Sequence, residues 1–241
     1  RSDEVLVPEK SGPMRAQIVR SVAHWSAGVP HPESSIHHAM LSAITNAKKF
    51  IFVGNQYFIS SINRPSPKNR LLKALHRRIS EAIRRNENFK VMVVLPVYPA
   101  GDLNSPTTTY IIQYVYMSIV RFKSSLLDRL QREFPLVDLE QYITFHSLRS
   151  WGVLNGKPVT EQVYVHAKIM IVDDRTLIVG SANINDRSLR GTRDSEICAV
   201  VEEEEAYWIE STMGGEDWKV FSTRSLFACG TKLKTGVAVR T

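Results

Sequence analysis

The chain has only two cysteines in 241 residues, Cys198 and Cys229. Neither has a metal-ligand spacing around it, which excludes a disulfide-built scaffold and a cysteine-based zinc site and favours a reducing compartment. Long apolar runs are missing too. The longest, Val91 to Ala100, is broken by Pro96 and Pro99 and falls far short of the roughly 20 residues needed to cross a bilayer. No internal repeat is visible, and no signal peptide is visible at the start. The first residue is Arg1 rather than Met, so the expectation is a fragment, a processed chain or an excised piece. With 43% hydrophobic residues the chain can bury one sizeable core, and one domain is expected.

What is present is positive charge, and it is concentrated. Between Ile62 and Lys90 there are nine Lys or Arg (Arg64, Lys68, Arg70, Lys73, Arg77, Arg78, Arg84, Arg85, Lys90) against Glu81 and Glu87. The formal net charge is +7, and this window accounts for all of it. Inside it Leu71, Leu72, Leu75, Ile79, Ala82 and Ile83 recur at helical spacing, predicting an amphipathic helix with an apolar stripe and basic flanks. Such a helix is either a solvated surface element or a binding face for an anionic partner, phosphoinositide-bearing membrane or nucleic acid.

Along the chain, residues 1–15 are polar and proline-bearing and read as a tail or linker, with one domain over 16–241. Ala16 to Val22 predicts a strand, His24 to Gly28 a loop, and Ser34 or Ser35 the N-cap of a helix running through His37 and His38 to about Ala47. Those two histidines read as surface or packing residues. Lys49 to Val53 and Phe89 to Leu95 predict strands, and Tyr110 to Phe134 one or two helices with Tyr114, Met117, Leu126, Leu127 and Leu130 in the core. Tyr142 to Leu148 reads as a strand, Arg149 to Thr160 as a turn-rich loop, and Glu202 to Glu205 as an acidic face opening a helix at Tyr207 to Ile209. Strands alternating with helices predict an α/β fold, a mixed sheet flanked by helices on both faces.

The most informative stretch is Tyr164 to Asn183. Val163 to Val172 reads as a buried strand whose period of two puts His166 and Lys168 on one face. Asp173-Asp174 is a turn, Leu177 to Val179 a second strand, and Gly180-Ser181 a place where backbone can approach a ligand. At average residue usage, His166, Lys168, Asp173, Gly180, Ser181 and Asn183 should meet at these spacings on the order of once in 10⁸ starting positions.

This pattern, His-x-Lys-x4-Asp-x6-Gly-Ser-x-Asn, resembles the signature of the phospholipase D superfamily. Its continuation, Ile184 to Glu196, resembles the C-terminal motif of eukaryotic phosphatidylcholine-cleaving members. The resemblance runs from about Ser21 to Phe227 and is dense from Val163 to Val201. It departs at Gly54, where the lipid enzymes commonly have Glu before Asn55-Gln56, and at Pro99 to Thr109, where they have a glycine-rich loop. The resemblance implies the phospholipase D fold, with this chain as one half of a pseudo-twofold catalytic unit, because only one His-x-Lys-x4-Asp motif occurs in it. The other half would be the N-terminal part of the same protein or a second copy of this chain.

The implied chemistry is phosphodiester hydrolysis or transphosphatidylation of phosphatidylcholine, giving phosphatidic acid and choline through a phosphohistidine. His166 would be general acid, or in a homodimer acid or nucleophile. Glu196, with Asp194 second, would fix its tautomer. Lys168, Asn183 and Ser181 would stabilise the phosphate, and Asp173 would hold the hairpin. No metal or other cofactor is implied for catalysis. A phosphoinositide activator is implied for the basic segment, with Arg70, Lys73, Arg77, Arg78, Arg84 and Arg85 as its binding residues, and the location expected is cytoplasmic and peripheral to membranes. The alternatives are a homodimeric nuclease of the same superfamily, disfavoured by the lipid-type extension through Glu196, and a non-catalytic module binding anionic lipid.

Overall fold

The computed structural model describes residues 14–203 and, beyond them, the backbone of 207–210, 219–222 and 237–240. In chain order the elements are β1 (Met14–Val22), α1 (His24–Ala27), β2 (Glu33–Ser34), α2 (Ser35–Asn46), β3 (Phe50–Asn55), α3 (Leu71–Arg84), β4 (Lys90–Val94), α4 (Pro106–Ile119) and α5 (Leu126–Glu133). They continue with β5 (Ile143–Leu154), β6 (Lys157–Gln162), β7 (Lys168–Val172), β8 (Thr176–Gly180), α6 (Asp186–Leu189), β9 (Glu196–Glu203), β10 (Tyr207–Glu210), β11 (Lys219–Ser222) and β12 (Val237–Arg240).

Ten strands form one mixed sheet in the order β12-β5-β4-β3-β7-β8-β9-β1-β2, with β6 attached to β5. β3, β4 and β5 are mutually parallel, joined by crossovers through α3 and through α4 with α5, as parallel neighbours require. The other pairings are antiparallel. β3 lies between parallel β4 and antiparallel β7. The ends of β3 and β8 and the start of β7 therefore come together at one end of the central strands, and the site forms there.

The main core lies on one face. Ile51, Val53, Val91, Val93, Met170, Val172 and Ile178 point into it and meet Ile36, Met40 and Ile44 of α2, Leu71, Leu72, Leu75, Ile79 and Ala82 of α3, and Leu126 and Leu130 of α5. Strand alternation sends Phe52, Val94, Ile169 and Ile171 to the opposite face, where with Val165 they form a smaller cluster without a helix residue in it. Helices on both faces were expected; among the described residues the main core accounts for one face only, and Ile18, Val179 and Ile197 of the other are exposed.

Several expected boundaries move. Met14 and Arg15 belong to β1, not to a tail, and the rest of the expected tail lies outside the described residues. His24–Ala27 is a short helix closed by Gly28 in the left-handed region, φ 66°. Tyr207–Glu210 is a strand paired with Lys219–Ser222 rather than a helix, in keeping with the strand preference of Tyr, Trp and Ile. Residues 149–160 are a β-hairpin instead of a loop. Its turn, Asn155 at φ 51° and Gly156 at φ 74°, is the two-residue type with positive φ at both positions. Leu126 and Leu130 are fully buried as expected, whereas Tyr114 is exposed.

Candidate functional site

The strand carrying the signature begins later than its pattern predicts. β7 starts at Lys168, and Val163 to Ala167 lead into it without regular structure. His166 is consequently exposed rather than buried in a sheet. Lys168 nevertheless folds back on it: Nζ donates to the His166 carbonyl at 2.7 Å and to Gln56 Oε1 at 3.0 Å. Partial burial lowers the ammonium pKa from the ordinary lysine value, and the Glu196 carboxylate opposes that shift. Both acceptors of Lys168 are neutral, so its charge remains available to an anion.

Gln56 had no assigned role on sequence grounds, yet it joins three elements. Its Nε2 donates to the Tyr164 hydroxyl at 3.0 Å, and that hydroxyl also accepts from Ala100 N at 3.1 Å. Its neighbour Asn55, 1% exposed, accepts from Tyr57 N and Ile184 N through Oδ1 at 3.1 and 3.2 Å, tying the end of β3 to the segment after β8. An Asn-Gln pair ending an apolar strand was the available signal, because polar groups there need partners. Gly54 faces the smaller cluster, and a Cβ on it would lie 2.9 Å from Ile169 Cγ2. A glutamate at this position would need that neighbour to move.

The orienting carboxylates are placed differently from the expectation. Glu196 does not hold His166; it accepts from the Ser181 hydroxyl. Ser181 Oγ also accepts from Ile197 N at 3.0 Å. The expected second choice, Asp194, is bound to Arg187 Nε at 2.6 Å. Among the described residues the His166 imidazole has Tyr164 as a ring neighbour, centroids 6.4 Å apart, and no hydrogen-bond partner. Ser181 and Glu196 lie across adjoining ends of β8 and β9 because Gly180 lets the strands close: a Cβ there would stand 2.2 Å from Ile197 O and 2.6 Å from Cys198 Cα. The glycine serves strand contact, not ligand approach. Asn183 adds a buried side-chain oxygen, Oδ1, without a hydrogen-bond partner.

Asp173 stands apart from this group. Its carboxylate accepts from Lys48 N (2.7 Å), Lys49 N (2.7 Å) and Phe50 N (2.8 Å). It therefore holds the entry into β3 to the β7–β8 turn. Asp186 does comparable work before α3, accepting from the backbone N–H groups of Lys68 and Asn69 and from Asn69 Nδ2.

The six basic residues assigned to anion binding separate into two groups. Arg78 is buried: its guanidinium donates to Ala47 O (2.6 Å), Lys48 O (3.3 Å) and Glu87 (2.6 Å) and stacks over Phe89. It is a packing residue, not a surface ligand. Arg85 pairs with Glu81 and Glu87, and Arg84 lies near Glu133 and over Phe134. Arg70, Lys73 and Arg77 are exposed, with no carboxylate partner among the described residues. His37 of α2 is buried and accepts from Arg70 N at 3.2 Å. Burial first, then the charges of His38 and Arg190, lowers its pKa to about 4, so it packs as a neutral imidazole. Among the described residues no group of three or more His, Cys, Asp or Glu is placed to hold a metal ion, and no helix is long and apolar enough to cross a membrane.

Comparison with known proteins agrees with the signature. A family model described as Phospholipase D matches residues 17–161 and 154–214. Phospholipase D C of Dictyostelium discoideum is 44% identical over 212 residues, which cover 88% of this chain and 12% of that protein. Phospholipase D zeta 2 of Arabidopsis thaliana is 44% identical over 217 residues, 87% of this chain and 20% of that protein. The crystal structure of Nuc from Salmonella typhimurium, a phospholipase D family member, aligns with 95% of this chain and 100% of that one at 16% identity, with a TM-score of 0.47. The chain thus spans no more than a fifth of the length of these two curated relatives.

Proposed function

This chain belongs to the phospholipase D family, and from that premise we propose that it supplies one of the two catalytic motifs of a phosphodiesterase acting on phosphatidylcholine. The observation that carries the reading is the Lys168 ammonium held between Gln56 Oε1 and the His166 carbonyl, beside an imidazole free to meet substrate. In the reaction one imidazole nitrogen attacks phosphorus. The bond to the choline oxygen breaks, and the imidazolium of the other motif gives that oxygen its proton. The neutralised imidazole then takes a proton from water or a primary alcohol, whose oxygen attacks phosphorus as the P–N bond breaks. Phosphatidic acid or a phosphatidyl-alcohol leaves. His166 takes the acid and base role, and Lys168 stabilises the non-bridging oxygens as their charge grows. Ser181 and Glu196 form a fixed pair at the rim, and Glu196 sustains the charge on Lys168.

The other motif comes from a second motif-bearing half, which we place in the N-terminal part of a longer protein. The several-fold greater length of the curated relatives supports this. Arg70, Lys73 and Arg77 are the residues we assign to phosphoinositide, and the resulting enzyme works in the cytoplasm, peripheral to membranes. The test is transphosphatidylation: the chain, phosphatidylcholine vesicles and a short primary alcohol, with and without a first-motif half, beside His166→Asn. Phosphatidyl-alcohol that needs both halves and disappears in His166→Asn is the expected result. Product from the chain alone would mean that two copies complete the site. Cleavage of nucleic acid but not lipid by the paired halves would replace the lipid reading with a nuclease.

A further inference from the structure

The β5–β6 hairpin extends beyond the sheet. β4 ends at Val94, and beyond it β6 and Val163 occupy the same edge of β5, since Leu95 N bonds to His146 O and Val163 N to Leu148 O. Among the described residues β6 pairs with no other strand. Opposed residues of an antiparallel pair share a face, so Trp151, Val153, Pro158 and Thr160 occupy one face and Gly152, Leu154, Lys157 and Val159 the other. Both faces of the outer part are apolar and, among the described residues, exposed, at 74% for Trp151, 65% for Val153, 63% for Leu154 and 44% for Val159. Lys157 is the one charge between Ser150 and Thr160.

The base of the hairpin is fastened to the site. Gln162 Oε1 accepts from Val97 N at 3.1 Å, and the Tyr98 hydroxyl donates to Glu161 at 2.8 Å. Tyr164 accepts from both Ala100 and Gln56. Three residues separate Gln162 from His166, and the loop after β4, bonded to the hairpin at Val97 and Tyr98, exposes Val97 and Leu103.

We propose that this hairpin is an interfacial membrane anchor whose tip enters a phosphatidylcholine bilayer and holds His166 and Lys168 at its surface; this rests on the lipid reading above. A protein docking on one face of a two-stranded ribbon would leave the other face in water, whereas lipid surrounds both. Trp favours the boundary between headgroups and acyl chains, and a lone lysine at the turn suits lipid phosphates. Among the described residues the outer ribbon, beyond the β12 pairing that ends at Arg149, has no partner strand on its edges, and unpaired backbone forbids deep insertion. From Trp151 to Leu154 the tip spans about 10 Å at roughly 3.3 Å per residue, which matches interfacial depth.

The test uses the full chain with Cys229→Ser and Leu154→Cys, labelled at 154 with an environment-sensitive fluorophore, and phosphatidylcholine vesicles with or without brominated acyl chains. A blue shift with quenching by bromines near the headgroup is expected. In the unlabelled chain, V153D with L154D should lower vesicle partition at least about tenfold without moving the unfolding midpoint. An unshifted label together with unchanged partition overturns the anchor. So does a blue shift that follows protein concentration without lipid, which would make the occupant protein. A parallel assay follows cleavage of a short-chain phosphatidylcholine kept below its micelle concentration, with a first-motif half added. Equal cleavage by wild type and the double variant, with loss of activity only on vesicles, supports the anchor. Intact cleavage with a hairpin indifferent to vesicles defeats the anchor alone. A lipid-sensitive hairpin with no cleavage of the monomeric substrate upholds the anchor and defeats the phosphodiesterase reading.

Discussion

Asp173 and Asp174 both sit in the left-handed region, with φ of 54° and 52°, which short polar side chains tolerate better than most. Their carboxylates meet opposite surroundings. Three backbone N–H groups converge on Asp173, and charged hydrogen bonds of this kind are individually worth about 1.5–3 kcal/mol. Asp173→Ala should therefore lower the unfolding free energy by about 3 kcal/mol and Asp173→Asn by less, as read from urea denaturation. Asp174 is buried, and burial followed by the Asp173 charge raises its pKa from 3.8 to about 6. The folded state then binds its proton more tightly than the unfolded chain, so its contribution is present below pH 3.8 and lost as pH rises through about 6. His37 acts in the reverse direction. Its pKa falls from 6.5 to about 4, so its contribution is present above pH 6.5 and lost as pH falls through about 4. At about 1.4 kcal/mol per unit each group is worth roughly 3 kcal/mol, and the two slopes nearly cancel in the wild type between pH 4 and 6.5. Asp174→Asn should uncover stability that rises across this window, and His37→Gln stability that falls. Unfolding curves at four pH values check both, and flat profiles in both variants would remove the argument.

The separation of α3 into a packed and a free face makes its own prediction. Arg78→Ala deletes a buried guanidinium with three oxygen partners and an aromatic contact and should cost about 3 kcal/mol. Lys73→Ala with Arg77→Ala should change stability by less than roughly 0.5 kcal/mol yet weaken binding to phosphoinositide vesicles. Equal binding loss in a still-folded Arg78→Ala would contradict the division. At the β8–β9 contact, Gly180→Ala must push apart strands whose backbone atoms lie where its Cβ belongs. A loss of about 3 kcal/mol in urea unfolding is expected. The helices α2 and α3 and strand β4 were legible because their apolar spacing matches their buried faces. Arg78 was legible in principle: it falls three residues after Leu75 and one before Ile79, on the stripe, and charge counting overrode that position. The hairpin was signalled by Asn155-Gly156, but Gly152 and Pro158 within its strands read as loop. His166 and Lys168 were legible from spacing, whereas the Ser181–Glu196 pair was not, because it depends on β9 lying beside β8, a pairing that local pattern does not determine. The role of Gln56 likewise arises across 112 residues of chain.

At the scale of the molecule, the site holds, among the described residues, one cation from Lys168 and one uncommitted imidazole, so the two-step displacement proposed above calls for a second motif-bearing half. The sheet offers a surface for that proposed half. Ile18 is 63% exposed and Ile197 59% on the face whose small cluster, among the described residues, contains no helix residue, and exposed apolar side chains grouped on one sheet face suit a contact surface. With a first-motif half in fixed excess, transphosphatidylation should rise in proportion to the first power of the chain's concentration. A square-law rise without that half would indicate pairing of two copies. Ile18→Glu, on β1 and away from Lys168, places a charge on this face without touching the site. It should leave urea stability within roughly 0.5 kcal/mol of wild type and raise the concentration of first-motif half needed for half-maximal activity by about tenfold or more. If the requirement does not change, the second half docks elsewhere, and the exposed isoleucines need another explanation.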